Sequence, residues 1–225
     1  MKRKAARFSL MALLIVAMLT TMALSVFAAD YTNVPAWGNG TYKQDVIPDR
    51  LDGRDANDKI TREEFAAVIY EAFGDKITDI TPAPDNTFTD TNDPAVLWAY
   101  AAQIIVGVGN NKFNPDANIT RQDIAVMCTR AVMKASMPWY KIETNDAYTL
   151  VFDNPPAFAD ENTITEYAKI PVSFMAAMGI IQGRGNGIFD PLANASLLET
   201  GIMATKILDN WDQIMEVLNN TDIIV

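Results

Sequence analysis

The sequence predicts a mainly all-α protein built from repeated helix–loop–helix units. Two stretches, GVGNNKFNPDANITRQDIAVMCTRAV (107–132) and GRGNGIFDPLANASLLETGIMATKIL (183–208), align without a gap. Self-similarity of this kind marks a repeat architecture. A third stretch, DKITREEFAAVIYEAFG (58–74), repeats their second half. In all three, a hydroxyl precedes an acid by three residues at the head of an apolar helical run, a helix-start signature.

In chain order, residues 1–28 read as a secretory signal peptide. A basic start (MKRKAAR) leads into an apolar run, and Val26 and Ala28 supply the small residues of a cleavage site. Residues 29–85 form a first unit whose second half is clear. Its first half falls in VPAWGNGTYKQDVIPDRL (34–51), a weak helix at best. Residues 86–137 form a second unit. Its marks are FTD (88–90), an apolar helical stretch over 93–106, the Gly-rich loop with Gly107 and Gly109, Phe113 and Pro115, and a second helix. Residues 138–157 read as a linker with a short strand-like YTLVF. Residues 158–225 form the third unit and a C-terminal helix, with FAD (158–160), an apolar stretch over 165–182, the loop with Gly183 and Gly185, and a last repeat helix.

The second helices carry matched apolar columns. Phe65, Val68, Ile69 and Phe73 answer to Ile124, Met127, Cys128 and Val132, and to Thr200, Met203, Ala204 and Leu208. This is the core stripe of an amphipathic helix, and it makes Cys128 a buried thiol. Thr61 with Glu64, Thr120 with Asp123, and Ser196 with Glu199 form the capping pairs, Asp123 being the short member. Ala66, Ala125 and Gly201 form a small-residue column suited to close packing.

Composition excludes several classes of function. There is no histidine and one cysteine, which rules out internal disulfides, zinc sites built on His and Cys, and His-dependent triads. No metal or other cofactor is expected. Loss of the signal removes four basic residues, leaving fourteen against 28 acidic ones, a net charge of about −14. Such a chain repels nucleic acid and anionic membranes, and no stable membrane insertion is expected after cleavage.

Arg62 and Arg121 follow the capping threonines, at the positive end of the helix dipole, where a cation is mildly unfavourable. Two readings stand. The arginine joins the unpaired helix-start amides and the nearby glycine loop in a site for a carboxylate or phosphate, as on an acidic sugar. Alternatively it pairs with a nearby acid, for which Glu63, Glu64, Asp116 and Asp123 are candidates. The third unit keeps Ser196 and Glu199 but has Leu197 where the arginine would stand, so the cap itself does not require it.

Phe-x-Asp, a helix, Gly-x-Gly, Phe-x-Pro and Ile-Thr-Arg-x-Glu/Asp in this order resemble the S-layer homology domain, commonly present in three tandem copies. The resemblance covers roughly residues 34–210. It implies a pseudo-threefold unit with a central helical bundle and three prongs. It also implies noncovalent anchoring to a secondary cell-wall polysaccharide attached to the peptidoglycan of a Gram-positive bacterium, often one bearing a pyruvate ketal. Carried onto this chain, it points to Arg62 and Arg121 as carboxylate contacts, with support from Gly107, Gly109, Gly183 and Gly185, and to Asp90 and Asp160 as structural. The implied protein is no enzyme and resides at the cell wall or cell surface, with a surface-protein partner or self-association left open.

Rival readings rest on weaker patterns. GRDANDKITREE (53–64) resembles a calcium-binding EF-hand loop through Asp55, Asn57, Ile60 and Glu64, but Gly53 and Asp58 break the pattern. A glycoside hydrolase needs paired carboxylates, and the acids singled out here are mostly used by caps and turns. A structural, self-associating surface protein is compatible with wall binding. Trp98, Tyr100 and Tyr167 lie in apolar helical stretches and read as core, with stacking on sugar rings as the alternative. Trp37 stands in a polar Gly/Asn-rich stretch and belongs to no core stripe.

Overall fold

A computed structural model describes residues 30–142 and 156–220. The signal segment, the YTLVF stretch and most of the linker lie outside the described residues. The described chain is mainly helical: α1 (Arg62–Phe73), α2 (Pro94–Ala101), α3 (Arg121–Ser136), α4 (Glu166–Ala177), α5 (Leu197–Asp209) and α6 (Trp211–Asn220). The first half of the first unit contributes only two short 3-10 turns, at Gln44–Val46 and Asp49–Leu51.

The three repeat helices α1, α3 and α5 start around a closed ring of backbone hydrogen bonds. Ile60 N–H donates to Ala195 O (3.2 Å), Ala195 N–H to Ile119 O (3.1 Å), and Ile119 N–H to Ile60 O (3.1 Å). The first helical amides continue the cycle: Arg62 donates to Ala117 O, Arg121 to Ala193 O, and Leu197 to Asp58 O. The second do so as well, from Glu63 to Pro115 O, Gln122 to Pro191 O, and Leu198 to Ala56 O. This pseudo-threefold arrangement includes the degraded first unit on equal terms.

Helix packing crosses unit boundaries. The first helix of the second unit, α2, packs on α1 of the first, and α4 of the third packs on α3 of the second. The corresponding place beside α5 goes to the N-terminal segment, where Tyr31 and Tyr42 approach Gly201. A Cβ at Gly201 would meet the Tyr31 ring at 3.4 Å, so the small-residue column admits an aromatic ring at this point. The helix α6 closes the bundle against α3 and α5.

The apolar columns of the repeat helices are buried apart from the half-buried Leu208, Cys128 is among them, and burial pushes its thiol up to about 12. Phe65, Phe113 and Phe189 are among the fully buried side chains, each contributing about 2–3 kcal/mol through apolar burial. Phe-x-Asp and Phe-x-Pro are tied together. The Asp90 carboxylate accepts from Phe113 N–H and Asn114 N–H (2.8 and 2.9 Å), and Asp160 accepts from Phe189 N–H and Asp190 N–H (2.8 and 2.7 Å).

The apolar stretches over 93–106 and 165–182 are helical only to Ala101 and Ala177. Gln103 (φ 64°) and Gly179 (φ 71°) take up the left-handed conformation that ends a helix. The isoleucines that follow, 104 and 105 in one unit and 180 and 181 in the other, are buried in the core outside any helix.

Candidate functional site

The helix-start arginines reach across to the next unit. Arg62 Nε donates to Phe113 O (3.0 Å) and Nη2 to Val106 O (3.1 Å). Arg121 Nε donates to Phe189 O (2.9 Å) and Nη2 to Gln182 O (3.1 Å). The four acceptors are equivalent in pairs and flank the two Gly-rich loops. Each guanidinium also lies over a phenylalanine ring, Arg62 over Phe113 at 4.6 Å and Arg121 over Phe189 at 5.0 Å. The arginine therefore staples the neighbouring unit's loop, which explains a cation at an otherwise unfavourable helix position. Burial pulls both guanidinium pKa values down.

The two arginines differ in their third partner. Arg121 is 7% exposed and its Nη1 donates to Glu199 Oε1 at 2.7 Å. Glu199 also accepts from Arg184. Burial works to raise the Glu199 pKa, but the Ser196 amide, Arg121 and Arg184 outweigh it and hold the carboxyl below the usual range. Arg62 has no ion pair among the described residues. Asp123, one methylene shorter at the position equivalent to Glu199, instead accepts from Tyr167 Oη (2.7 Å) and Thr120 Oγ1 (2.6 Å). Thr61 with Glu64 and Ser196 with Glu199 complete reciprocal capping boxes, whereas Thr120 caps α3 without the return bond to its own amide. None of the nearby acids Glu63, Glu64, Asp116 and Asp123 pairs with either arginine. The acid that does pair with Arg121 lies in another unit.

The helix-start amides correct a second expectation. They are not open donors for an anion. The first two of each helix donate to carbonyls of the adjacent unit, and the third donates to the capping hydroxyl. Leu197 also has a counterpart that sequence reading missed. Arg54 occupies the repeat position of Phe113 and Phe189, and its Nη1 donates to Glu64 at 2.8 Å. At this third junction the arginine and the apolar residue have exchanged places, and the arginine–glutamate pair survives.

Two clefts run beside these junctions. The first, about 270 Å³, is lined by Arg62, Ile105, Val106, Asp123, Val126, Met127, Arg130 and Tyr167. The second, about 410 Å³, is lined by Arg121, Ile181, Gln182, Glu199, Ile202, Met203 and Lys206, with Trp37, Ile180, Gly183 and Arg184 added. The two match position for position. Arg62 answers to Arg121, Asp123 to Glu199, Val126 to Ile202, Met127 to Met203, and Arg130 to Lys206. The aromatic wall comes in each case from the first half of another unit, Tyr167 (54% exposed) in one cleft and Trp37 (65% exposed) in the other. Trp98, by contrast, is core, edge-on to Tyr70, and Tyr100 packs on Phe88 at the surface.

Of the four glycines, Gly183 lines its cleft. Gly107 and Gly183 are needed by the loops themselves, because a Cβ would meet Lys112 O at 2.8 Å and Ile188 O at 2.7 Å. Gly109 and Gly185 adopt φ 98° and 102°, which only glycine takes up without strain. The EF-hand-like carboxylates are engaged elsewhere. Asp55 accepts from Asn33 and Asn57, and Asp58 and Glu64 pair with Arg54. No group of acids poised to hold a metal ion occurs among the described residues, and no described helix is long and apolar enough to cross a membrane.

Comparison with known proteins supplies a family. The model of the S-layer homology domain matches residues 84–125 and 157–200, the second and third units. The first unit is not matched. Similar proteins include an amylopullulanase of Thermoanaerobacterium thermosulfurigenes, 30% identical over 156 residues. An exoglucanase XynX of Acetivibrio thermocellus is 29% identical over 155 residues, and an endoglucanase of Bacillus sp. (strain KSM-635) is 25% identical over 158. These alignments take in 67–68% of this chain but only 8%, 13% and 15% of the three relatives.

Proposed function

The chain carries S-layer homology domains, and we propose that it is a noncatalytic module that anchors to the bacterial cell wall by binding an acidic secondary polysaccharide in its two matched clefts. Arg62 and Arg121 stand at the head of each cleft. Gly183 lines the second cleft, and Tyr167 or Trp37 offers a ring face to a sugar. The observation that carries this reading is the equivalence of the two clefts. A cation, a carboxylate, an apolar floor and an exposed aromatic recur at matched positions although the aromatic is drawn from unrelated sequence each time. The relatives support it from another side. Three differently named enzymes each align with about two thirds of this chain, and the aligned part forms a small fraction of each.

The carboxylates fit poorly with hydrolysis. Glu199, Asp90 and Asp160 are held ionised by hydrogen bonds and cations, and their pKa values lie below the ordinary range. None is poised as a general acid. A pyruvate ketal would supply the acid that the clefts call for.

The test is co-sedimentation with purified sacculi before and after the secondary polymer is stripped away. The parent is expected to bind only the intact sacculi. Trp37→Ala and Tyr167→Ala, both of exposed side chains, are expected to weaken binding on the order of tenfold each through loss of a sugar-ring contact. Undiminished binding to stripped sacculi would refute the proposal.

A further inference from the structure

The cations that head the clefts are already spent. Arg121 has two carbonyls, a carboxylate and a ring as partners, Arg62 has two carbonyls and a ring, and Arg184 is paired with Asp190 and Glu199. One further basic residue lies in each cleft, at the tenth position of its helix: Arg130 on α3 and Lys206 on α5. Neither has an ion pair among the described residues. Arg130 makes one long bond, Nη1 to Ile104 O at 3.4 Å, and its Nε is buried with no hydrogen-bond partner. Lys206 likewise makes one long bond, Nζ to Gly179 O at 3.4 Å. Burial pulls the Lys206 pKa down. A partly buried charge without a full set of partners is unfavourable unless something arrives to satisfy it.

The first unit provides the contrast. The same helix position on α1 is Glu71, and burial together with Asp49, Asp75 and Asp45 raises its pKa. Here the sign is reversed and the neighbours are acidic.

We propose that Arg130 and Lys206 receive the acid group of the ligand, and that Glu71 keeps an acid out of the equivalent place in the first unit. This rests on the reading that the clefts bind a wall polymer. It transfers the ionic contact from the helix-start arginines, which hold the units together, to a position about two and a half helical turns further along. The ligand unit is an anionic sugar whose ring lies against Tyr167 or Trp37 while its charge points down the cleft. Two such units are bound per chain.

The experiment measures retention of full-length protein on sacculi for the parent, Arg130→Gln, Lys206→Gln and the double variant. Each single substitution is expected to lower affinity on the order of tenfold, as for a lost charge-assisted hydrogen bond. The charge-keeping swaps Arg130→Lys and Lys206→Arg are expected to hold most of the binding, a rescue that a packing role would not give. Lys206→Met, close in length, serves as a second neutral variant, with folding checked by its melting curve. Polymer reduced at its carboxylates, and separately polymer freed of phosphodiesters, identify the acid. The treatment that removes it should abolish the difference between parent and double variant. A folded double variant that binds intact sacculi as tightly as the parent overturns the assignment. Parent binding to stripped sacculi would instead sink the polymer reading itself, so the two failures are distinguishable.

Discussion

The junction between the second and third units and the junction between the first and second use the same arginine to different ends. Arg121 is locked, with every edge of its guanidinium engaged and Glu199 neutralising it. Arg62 makes the same two carbonyl bonds, yet the carboxylate that would complete the set is one methylene short and turned towards Tyr167. A single change of acid thus separates a junction closed by a direct ion pair from one in which the carboxylate acts on the arginine only at longer range. The difference shows that the arginine's task is architectural and that the completeness of its partner set is fixed by a residue in another unit.

Removing the guanidinium from the closed junction is the most damaging way to break this comparison. Arg121→Ala leaves two carbonyls and part of Glu199 unpaired, and a loss of about 3 kcal/mol is expected in chemical denaturation. Arg62→Ala forfeits two carbonyl bonds and a ring contact but no ion pair, and a loss of about 2 kcal/mol is expected in the same assay. Equal losses would show that the carboxylate contributes nothing to the difference.

Acid titration probes the same pair without removing the arginine. The Glu199 pKa is depressed in the folded state, so its stabilisation is present above the ordinary carboxylate range and is lost as pH falls through the folded value. Melting temperatures of the parent are therefore expected to fall more steeply below about pH 4.5 than those of Glu199→Gln. Superimposable profiles would contradict the linkage. The gentlest intervention converts one junction into the other. Asp123→Glu is expected to complete the capping box of α3 and reach Arg62, stabilising the protein by about 0.5–1 kcal/mol in chemical denaturation.

Much of the fold was legible. The three capping pairs and the apolar columns of Phe65, Ile124 and their neighbours mark α1, α3 and α5 because helix starts and core stripes are local properties. The helix ends at Gln103 and Gly179 were less legible, since the isoleucines beyond them continue an apolar run that reads as helix. The candidate site was legible in part. The arginines stood out in the motif, but their partners did not, because Phe113 and Phe189 lie 51 and 68 residues away and belong to other units. Trp37 had no motif to belong to, and its place in a cleft depends on the unit that follows α5 around the ring being the first. A signal for Arg130, Lys206 and Glu71 was present in the repeat alignment. They share one column, and reading that column for charge as well as for apolarity would have singled them out.

The cycle of amide bonds through Ile60, Ile119 and Ala195 has a consequence for how such repeats can multiply. An open solenoid always presents a last surface to which another copy can be added. Here each copy finds its successor and the third finds the first, so the circuit has no vacant end. Inserting a fourth copy would require opening the circuit, and losing one copy strands its two neighbours.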